Sequence, residues 1–571
     1  MPKNPEENHR EYSHSARDIG AGPLAATTLA RKRRRRYLGG GIGAGVVAAA
    51  VVAIAALNGG TVAPSSKAEA SSGPSKSYAP FNRPAYEQIA SQAGATAPVT
   101  PTTVVVSKDE TGTALPDGMM GLSFESDIMT DPRLDPGNST LVAELKNLTK
   151  PVIRFGGQAA DRRFFWTSAS EGLPDWKLVP AFQGDTRQIV KVTPADLERI
   201  NRTVVAADAK VLLTADLGHF DPDRAADFAK NASAIFGERL LGIAIGNEPN
   251  GYYVKGNPYL TLRPEDWSPS KFMDEFKAYE SAISKTAPNV KIIGPETYSL
   301  NWLKPFAAQQ TPSLGALSYH NYPLSTCLPN EEFFPTIARV TSRAHMDKVK
   351  TVVANIAKVA KDSGLPVWLT ESGISSCPGS NETTRKHVAA MWIVNYALTV
   401  AQTGVTQLDV HGALDTCKGG PPASPICDTG AYKRPTGVMT EQAIYHGMML
   451  VSALAPGMFH NVDQDGSENV YSYAIGHKDG SMSVVVVNQN DPKLSAQAPV
   501  AIQLPEAAAT ATMSQMTGPA FDAEAQTQID SREDAGVPES QRAMIPGFVP
   551  GQQKVSLPLT SGTVTVLTFT F

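Results

Sequence analysis

Residues 240–250 read LLGIAIGNEPN, an apolar run of strand character that ends at the pair Asn247 and Glu248. Residues 366–373 read PVWLTESG, and this second apolar run ends at Glu371. Short runs that are apolar throughout are typical of strands buried on both faces of a parallel sheet. Each run therefore predicts a buried strand that carries a glutamate at its carboxyl end.

Further runs of the same kind lie between residues 118 and 411, and amphipathic helical patterns separate them. Those patterns include 194–208, 223–236 and 270–286, the first of which starts with Pro and acidic residues, a helix start signal. Repeated strand–helix units of this number predict an α/β fold, a closed (β/α)8 TIM barrel rather than an open doubly wound sheet. The predicted strands are 118–124, 151–155, 210–217, 240–246, 290–294, 315–320, 366–371 and 405–411.

The sequence pattern changes beyond residue 440, where helical periodicity is replaced by β-branched or alternating runs. This predicts an antiparallel β-domain, most simply a β-sandwich, over 440–571, after a catalytic barrel over 100–439. Residues 100–112 are a candidate for pairing with that sheet. The strand-like runs of the β-domain are 468–475, 482–488, 499–503 and 562–571.

The amino-terminal region carries a targeting signal. Residues 31–36 read RKRRRR, and the uncharged stretch 38–57 would span about 30 Å as a helix, one hydrocarbon thickness. The pattern predicts a cytoplasmic basic tail over 1–37, followed by a transmembrane signal anchor or a cleaved signal peptide. Residues 58–99, rich in Pro, Ser, Ala and Gly, predict a disordered linker. We therefore expect an extracytoplasmic protein, membrane-anchored (type II) or secreted, that contacts the membrane through 38–57 if this segment is uncleaved.

Composition narrows the functional classes. The 571 residues suffice for a large domain and a smaller one, and a net charge of −4 offers no sign of a nucleic-acid partner. In an oxidising compartment Cys327, Cys377, Cys417 and Cys427 could form two disulfides, in any of three connectivities. Their spacing contains no C-x2-C pair, which disfavours zinc, and we expect neither a metal nor a cofactor.

The two glutamates define the expected chemistry. Reactive side chains of (β/α)8 barrels gather at the carboxyl ends of the strands, so Glu248 and Glu371, on the fourth and seventh strands, should face each other across the mouth. Hydrolysis of a glycosidic bond needs such a pair, one as general acid and one as nucleophile or base. The two roles require different pKa values, and Arg154 and Tyr322 are well placed to keep one carboxylate ionised. Retention of configuration requires carboxyl groups about 5–5.5 Å apart.

Other polar side chains end the neighbouring strands. Glu125 ends the first strand and could contact a ligand or cap a loop, and His320 ends the sixth. Gly156 and Gly157 are expected to serve backbone geometry. The ends of the third and eighth strands add Asp216, His219, Asp409 and His411 as further candidates.

A set of short motifs resembles glycoside hydrolase family 79, which includes heparanase and bacterial β-glucuronidases. The Asn-Glu ending of the fourth strand and the Glu ending of the seventh also look like the broader clan A of glycoside hydrolases. The resemblance spans roughly residues 100–571 and implies a (β/α)8 barrel coupled to a C-terminal β-sandwich. The motifs are SFESDIMTDPR (123–133), IRFGG (153–157), GNEPN (246–250), SYHNY (318–322) and TESG (370–373).

Carried over position by position, the resemblance implies a carbohydrate substrate and a role for each matching residue. Glu248 would be the acid/base and Glu371 the nucleophile. Asn247 would contact the 2-hydroxyl of the sugar, and Tyr322 would hydrogen-bond the nucleophile. Residues that would line the sugar subsite are Glu125, Gln158 and His320.

One loop departs from the family. Uronate binders of family 79 place a Tyr and glycine amides shortly after the nucleophile, whereas residues 372–379 here read SGISSCPG. The expected Tyr falls near Ser376, Pro378 lacks a backbone donor, and the loop 412–420 also lacks the expected Tyr. We expect a retaining β-glycosidase, β-glucuronidase-like or acting on a neutral sugar. A noncatalytic carbohydrate-binding surface protein is the alternative. A metal-dependent barrel hydrolase would want His-x-His on the first strand, which the sequence lacks.

Overall fold

The computed structural model describes residues 98–571 apart from gaps at 177–187, 256–260, 310, 327–330, 378, 432–433, 496, 525, 530–542 and 546. The predicted basic tail, the anchor or signal segment and nearly all of the linker lie outside the described residues. Within the described ranges, no helix combines the length and the apolar character needed to cross a membrane.

Strands and helices alternate through the first two thirds of the described chain, and strands dominate the rest. The first strands are β1 (Thr102–Leu115), β2 (Met120–Glu125), β3 (Val152–Gly156), β4 (Phe164–Trp166), β5 (Val190–Val192), β6 (Lys210–Ala215), β7 (Leu240–Ile245), β8 (Ile292–Thr297), β9 (Leu314–Asn321), β10 (Leu324–Ser325), β11 (Val367–Ser372), β12 (Ser375–Ser376) and β13 (Val405–His411). The later strands are β14 (Ile426–Asp428), β15 (Met439–Glu441), β16 (Gly457–Asp465), β17 (Val470–His477), β18 (Met482–Asn488), β19 (Gln497–Ala508), β20 (Thr510–Thr517), β21 (Gln528–Ile529), β22 (Ala543–Met544), β23 (Gln552–Thr560) and β24 (Thr563–Thr570). The α-helices are α1 (Leu141–Leu145), α2 (Pro194–Ala206), α3 (Pro222–Phe236), α4 (Pro269–Thr286), α5 (Leu300–Ala307), α6 (Ile337–Val340), α7 (Arg343–Ser363), α8 (His387–Gln402) and α9 (Ala443–Ser452).

Eight parallel strands close into a barrel in the order β11-β13-β2-β3-β6-β7-β8-β9. Each of the eight predicted strands overlaps one of them, so the predicted (β/α)8 barrel is confirmed. Side chains of Val152, Leu212, Ile293 and Ala316 form an apolar cluster among the barrel strands. Because side chains alternate along a strand, Arg154 lies on the same face of β3 as Val152, one layer nearer the carboxyl end.

The helices that follow the early strands begin with a common local signal. Helices α2, α3 and α4 each start at Pro, preceded by Thr193, Asp221 and Ser268 respectively. Pro at the first helical position loses no hydrogen bond, and Asp221 and Ser268 each accept from an N–H of the first turn. Thr193 and Asp196 complete a reciprocal capping box. These three helices are where the sequence patterns predict them.

The C-terminal strands form one ten-stranded sheet with the order β21-β20-β24-β18-β17-β16-β1-β19-β23, and β22 pairs with β20. Apolar side chains from strands far apart in this order, such as Val486 on β18, Ile502 on β19 and Leu557 on β23, share one core cluster. The sheet therefore folds over itself into a sandwich-like layer pair. Its pairing is antiparallel except between β1 and β19, which run parallel.

The strand that precedes the barrel belongs to the sheet. β1 pairs antiparallel with β16 and parallel with β19, so the start of the described chain is held within the C-terminal sheet. Helix α8 links the two parts: it is buried from His387 to Ala401, and the Thr399 hydroxyl lies 2.8 Å from the Tyr473 hydroxyl on β17. A barrel helix is thus also part of the core shared with the sheet.

Disulfide-bonded cysteines lie in the loops that follow the seventh and the eighth barrel strands. Cys417 and Cys427 form a disulfide across the segment after β13. Cys377, which follows β12, is also disulfide-bonded. Strands β10 and β12 pair as a short parallel ladder, which ties the loop after β11 to the loop after β9.

Candidate active site

Arg154 lies at the centre of the barrel mouth and connects four other strands. Its guanidinium donates to Glu371 Oε2 at 2.8 Å, to Asn247 Oδ1 at 2.7 Å and to Glu296 Oε2 at 2.5 Å. It also donates to Ser123 Oγ at 2.8 Å. The arginine side chain is fully buried, and such a charge needs paired carboxylates to be stable there. The planar guanidinium therefore fixes the positions of the surrounding side chains.

His320 bridges two carboxylates on either side of its ring. Nδ1 lies 2.9 Å from Glu248 Oε1, and Nε2 lies 3.0 Å from Glu296 Oε2. Burial lowers the pKa of His320, but Glu371, Glu248 and Glu296 outweigh that effect and raise it to about 9. The imidazole is therefore protonated at neutral pH, and both nitrogens donate.

Glu371 is held in the ionised form. Its Oε1 accepts from the Tyr322 hydroxyl at 2.9 Å, and its Oε2 accepts from Arg154. Burial raises the pKa of Glu371, but His411, His320 and Arg154 outweigh that effect and place it far below its ordinary value. A buried carboxylate that stays charged and is aimed into the mouth is suited to act as a nucleophile.

Glu248 has a different environment. It accepts from His320, and its side chain is 21% exposed. The residue adopts a left-handed backbone with φ of 52°, uncommon outside glycine, and its N–H donates to the Glu296 carbonyl at 2.8 Å. Such strain is found at functional sites where neighbouring structure enforces it.

The two glutamates and the histidine converge closely. One oxygen of Glu248, one oxygen of Glu371 and one nitrogen of His320 all lie within 4.8 Å of one another. One imidazole and two carboxylates could in principle hold a divalent cation. Both ring nitrogens of His320 already lie at hydrogen-bond distance from carboxylates, Nδ1 from Glu248 and Nε2 from Glu296, so this arrangement leaves neither nitrogen free for a cation.

Asn247 is fixed from two sides. Its backbone N–H donates to Asp161 Oδ2 at 2.7 Å, and its side-chain oxygen accepts from Arg154. The side-chain Nδ2 is buried with no partner among the described residues. A buried amide donor without a partner is costly, and a ligand hydroxyl would satisfy it.

The first and eighth strands complete one side of the mouth. Glu125 Oε2 accepts from the Ala159 N–H at 2.7 Å, and its other oxygen lies 3.8 Å from His411 Nε2. Burial raises the pKa of Glu125. Gln158 begins a short 3-10 helix at the rim and is exposed, with no described contact to the carboxylate group. Its predicted role in the sugar subsite stays a prediction.

Asp409, Asp216 and His219, the remaining predicted site residues, make no described hydrogen bond to Arg154, Glu248 or Glu371. Asp409 is fully buried among the barrel strands, where Gln407 donates to its Oδ1 at 2.7 Å and burial raises its pKa. Asp216 and His219 pair with each other at 2.9 Å beside a separate cavity.

Three polar residues that hydrogen-bond to Arg154 or Asn247 are absent from the sequence-based predictions. Glu296 lies in β8, one residue before its end, whereas the predicted strand ends at residue 294. Extending that strand by three residues would have placed Glu296 with the other strand-end carboxylates. Ser123 and Asp161 lie within or beside the quoted motifs, and their roles depend on contacts across the barrel.

Comparisons with solved structures show the same fold. A 4-O-α-L-rhamnosyl-β-D-glucuronidase from Fusarium oxysporum superposes with a TM-score of 0.59 at 17% identity, covering 82% of this chain and 100% of that chain. The GH51 arabinofuranosidase from Xanthomonas axonopodis pv. citri gives 0.56 at 15% identity, covering 82% and 100%. CelM2, a bifunctional glucanase-xylanase from a metagenome library, gives 0.52 at 14% identity, covering 83% and 100%.

At these identities the similarity establishes the architecture, a (β/α)8 barrel with a C-terminal sheet domain. No protein-family model matches the chain, and no curated protein shows significant similarity to it. The resemblance to glycoside hydrolase family 79 therefore stays a prediction.

Proposed function

We propose that the protein is a retaining β-glycoside hydrolase, in which Glu248 is the acid/base and Glu371 the nucleophile. The observation that carries the proposal is the close approach of two unlike carboxylates, with oxygens within 4.8 Å. Retaining enzymes place the two carboxyl groups about 5–5.5 Å apart, whereas inverting enzymes leave about 6.5–9.5 Å for a water molecule.

The hydrogen-bond environments assign the roles. Arg154 and Tyr322 both donate to Glu371, which keeps it charged and ready to attack the anomeric carbon. Glu248, which is more exposed, can carry a proton to the leaving oxygen and then take one from the attacking water. The free Nδ2 of Asn247 is available for the 2-hydroxyl of the bound sugar.

For the substrate we propose a β-glucuronide or a related uronic acid glycoside outside the cytoplasm. The motif resemblance supports this class, and the rhamnosyl-glucuronidase from Fusarium oxysporum has the same fold. The loop after β11 lacks the expected Tyr, so a neutral sugar is the second candidate.

The test is hydrolysis of a panel of p-nitrophenyl β-glycosides by the chain from about residue 80. Glu371→Ala removes the nucleophile, and Glu506→Ala, an exposed glutamate on the sheet, is the matched control. We expect release from the glucuronide by the wild type and the control, and a loss of about 10³-fold or more in Glu371→Ala.

Release from a neutral glycoside alone would keep the mechanism and replace the proposed sugar. Binding of oligosaccharides without cleavage of any would favour a noncatalytic carbohydrate-binding protein instead.

A further inference from the structure

A second cavity lies at the carboxyl end of β6. Its volume is about 290 Å³, near the lower end of the range for small-ligand pockets, which is about 300–1,000 Å³. Neither Glu248 nor Glu371 is among its described lining residues. The mechanism proposed above does not use it.

Aromatic rings line much of this cavity. His219 and Trp176 stack with ring centres 3.6 Å apart and planes 3° from parallel, and Phe165 meets Trp176 edge-on at 5.5 Å. Phe220 also lines the cavity and is 53% exposed. An aromatic ring at the edge of a pocket offers a flat apolar face to the ring of a ligand.

Polar groups accompany the rings. Asp216 Oδ2 lies 2.9 Å from His219 Nδ1, and the Arg224 guanidinium lies over the Phe165 ring at 4.6 Å. Apolar walls with a few placed polar groups match a six-membered ring that has an apolar face and polar substituents. Both sugar rings and substituted aromatic aglycones have this character.

One buried carboxylate joins the cavity wall to the acid/base. Asp161 Oδ1 accepts from the Leu217 and Gly218 N–H groups at 2.9 and 3.0 Å, and Oδ2 accepts from the Asn247 N–H. His219 comes directly after Gly218, and Glu248 comes directly after Asn247. Asp161 therefore holds the backbone next to each of these two side chains. The cavity and the acid/base therefore belong to adjacent, mutually fixed loops.

We propose that this cavity binds the leaving-group ring, the sugar or aglycone ring beyond the bond that is cut. The inference rests on the proposed function, because Glu248 as general acid must stand beside the departing oxygen. The leaving group then extends past Glu248, which follows β7, and β6 is a direct neighbour of β7 in the barrel.

The test compares two substrates of whichever sugar the panel identifies. The p-nitrophenyl β-glycoside has a ring as its leaving group, whereas the β-glycosyl fluoride has a single atom. We expect Phe220→Ala to raise KM for the aryl glycoside about fivefold, as lost ring stacking implies, and to leave the fluoride unchanged. Phe220→Trp should retain the wild-type KM, and Leu494→Ala, an exposed apolar residue of the sheet domain, is the matched control.

Equal effects on both substrates, or none on either, would overturn the inference and leave the glycosidase proposal standing. If the wild type hydrolyses neither substrate of any sugar, both proposals fail together.

Discussion

The buried Glu296 is one of three carboxylates that raise the pKa of His320. It accepts from Arg154, from His320 and from the Thr370 hydroxyl at 2.9 Å. Burial raises the pKa of Glu296, but Arg154 and His320 outweigh that effect and lower it to about 2. The carboxylate is therefore charged wherever the enzyme would work, and its charge is one of the causes that raise the pKa of His320.

We predict that Glu296→Gln lowers the pKa of His320 by about one to three units, since it removes an opposite charge at hydrogen-bond distance. The measurement is NMR titration of protein labelled in its histidine rings, with the His320 signal assigned by its loss in His320→Asn. Thr370→Val removes a neutral hydrogen bond and keeps the charge, so the His320 signal should stay near its wild-type position. A wild-type His320 that titrates near 6.5 would contradict this account.

The same shift makes stability depend on pH. The folded pKa of His320 is raised from 6.5 to about 9, so its charge stabilises the fold fully below pH 6.5. That contribution is lost as the pH rises through about 9. In Glu296→Gln the contribution should be smaller and its loss should be complete at a lower pH, which urea unfolding at a series of pH values would show.

At the scale of elements, the strands were predictable because their signals are local. Each buried parallel strand is a short apolar run ended by polar or glycine residues, and the helices between them carry start signals such as Thr193-Pro194. The predicted end of the fifth strand was wrong, because β8 continues through Pro295 to Thr297. The predicted strand 290–294 therefore does not include Glu296.

The disulfide Cys417–Cys427 closes a short loop beside the mouth, with a sequence separation of 10. We predict that Cys417→Ser together with Cys427→Ser lowers the free energy of unfolding by about 2–3 kcal/mol, because the unfolded chain regains the entropy of the open loop. Urea unfolding of the double variant and the wild type, both without reductant, is the measurement. Unchanged stability would show that the loop is ordered without the bond.

At the scale of the whole molecule, barrel and sheet share a core. Helix α8 is buried along its length. The Tyr473 hydroxyl on the sheet hydrogen-bonds to Thr399 and Asn395 on this helix. The change in sequence pattern near residue 440 indicates a β-domain. The parallel pairing of β1 with β19 depends on contacts between distant parts of the chain, which local patterns do not encode.

We predict that Tyr473→Phe destabilises barrel and sheet together by about 1–3 kcal/mol, because buried polar groups on α8 lose their partner. Intrinsic fluorescence and far-ultraviolet circular dichroism should both report one urea transition, shifted to lower concentration. Two separate transitions, with a shift in one, would mean that the sheet unfolds independently of the barrel.

A double displacement by Glu371 and Glu248 retains the configuration of the anomeric carbon. Proton NMR of the first sugar released from a β-glycoside, before the free sugar equilibrates in water, distinguishes this outcome from inversion. We expect the β-anomer to appear first and the α-anomer to follow by mutarotation. Initial release of the α-anomer would show inversion, and would contradict the assignment of Glu371 as nucleophile.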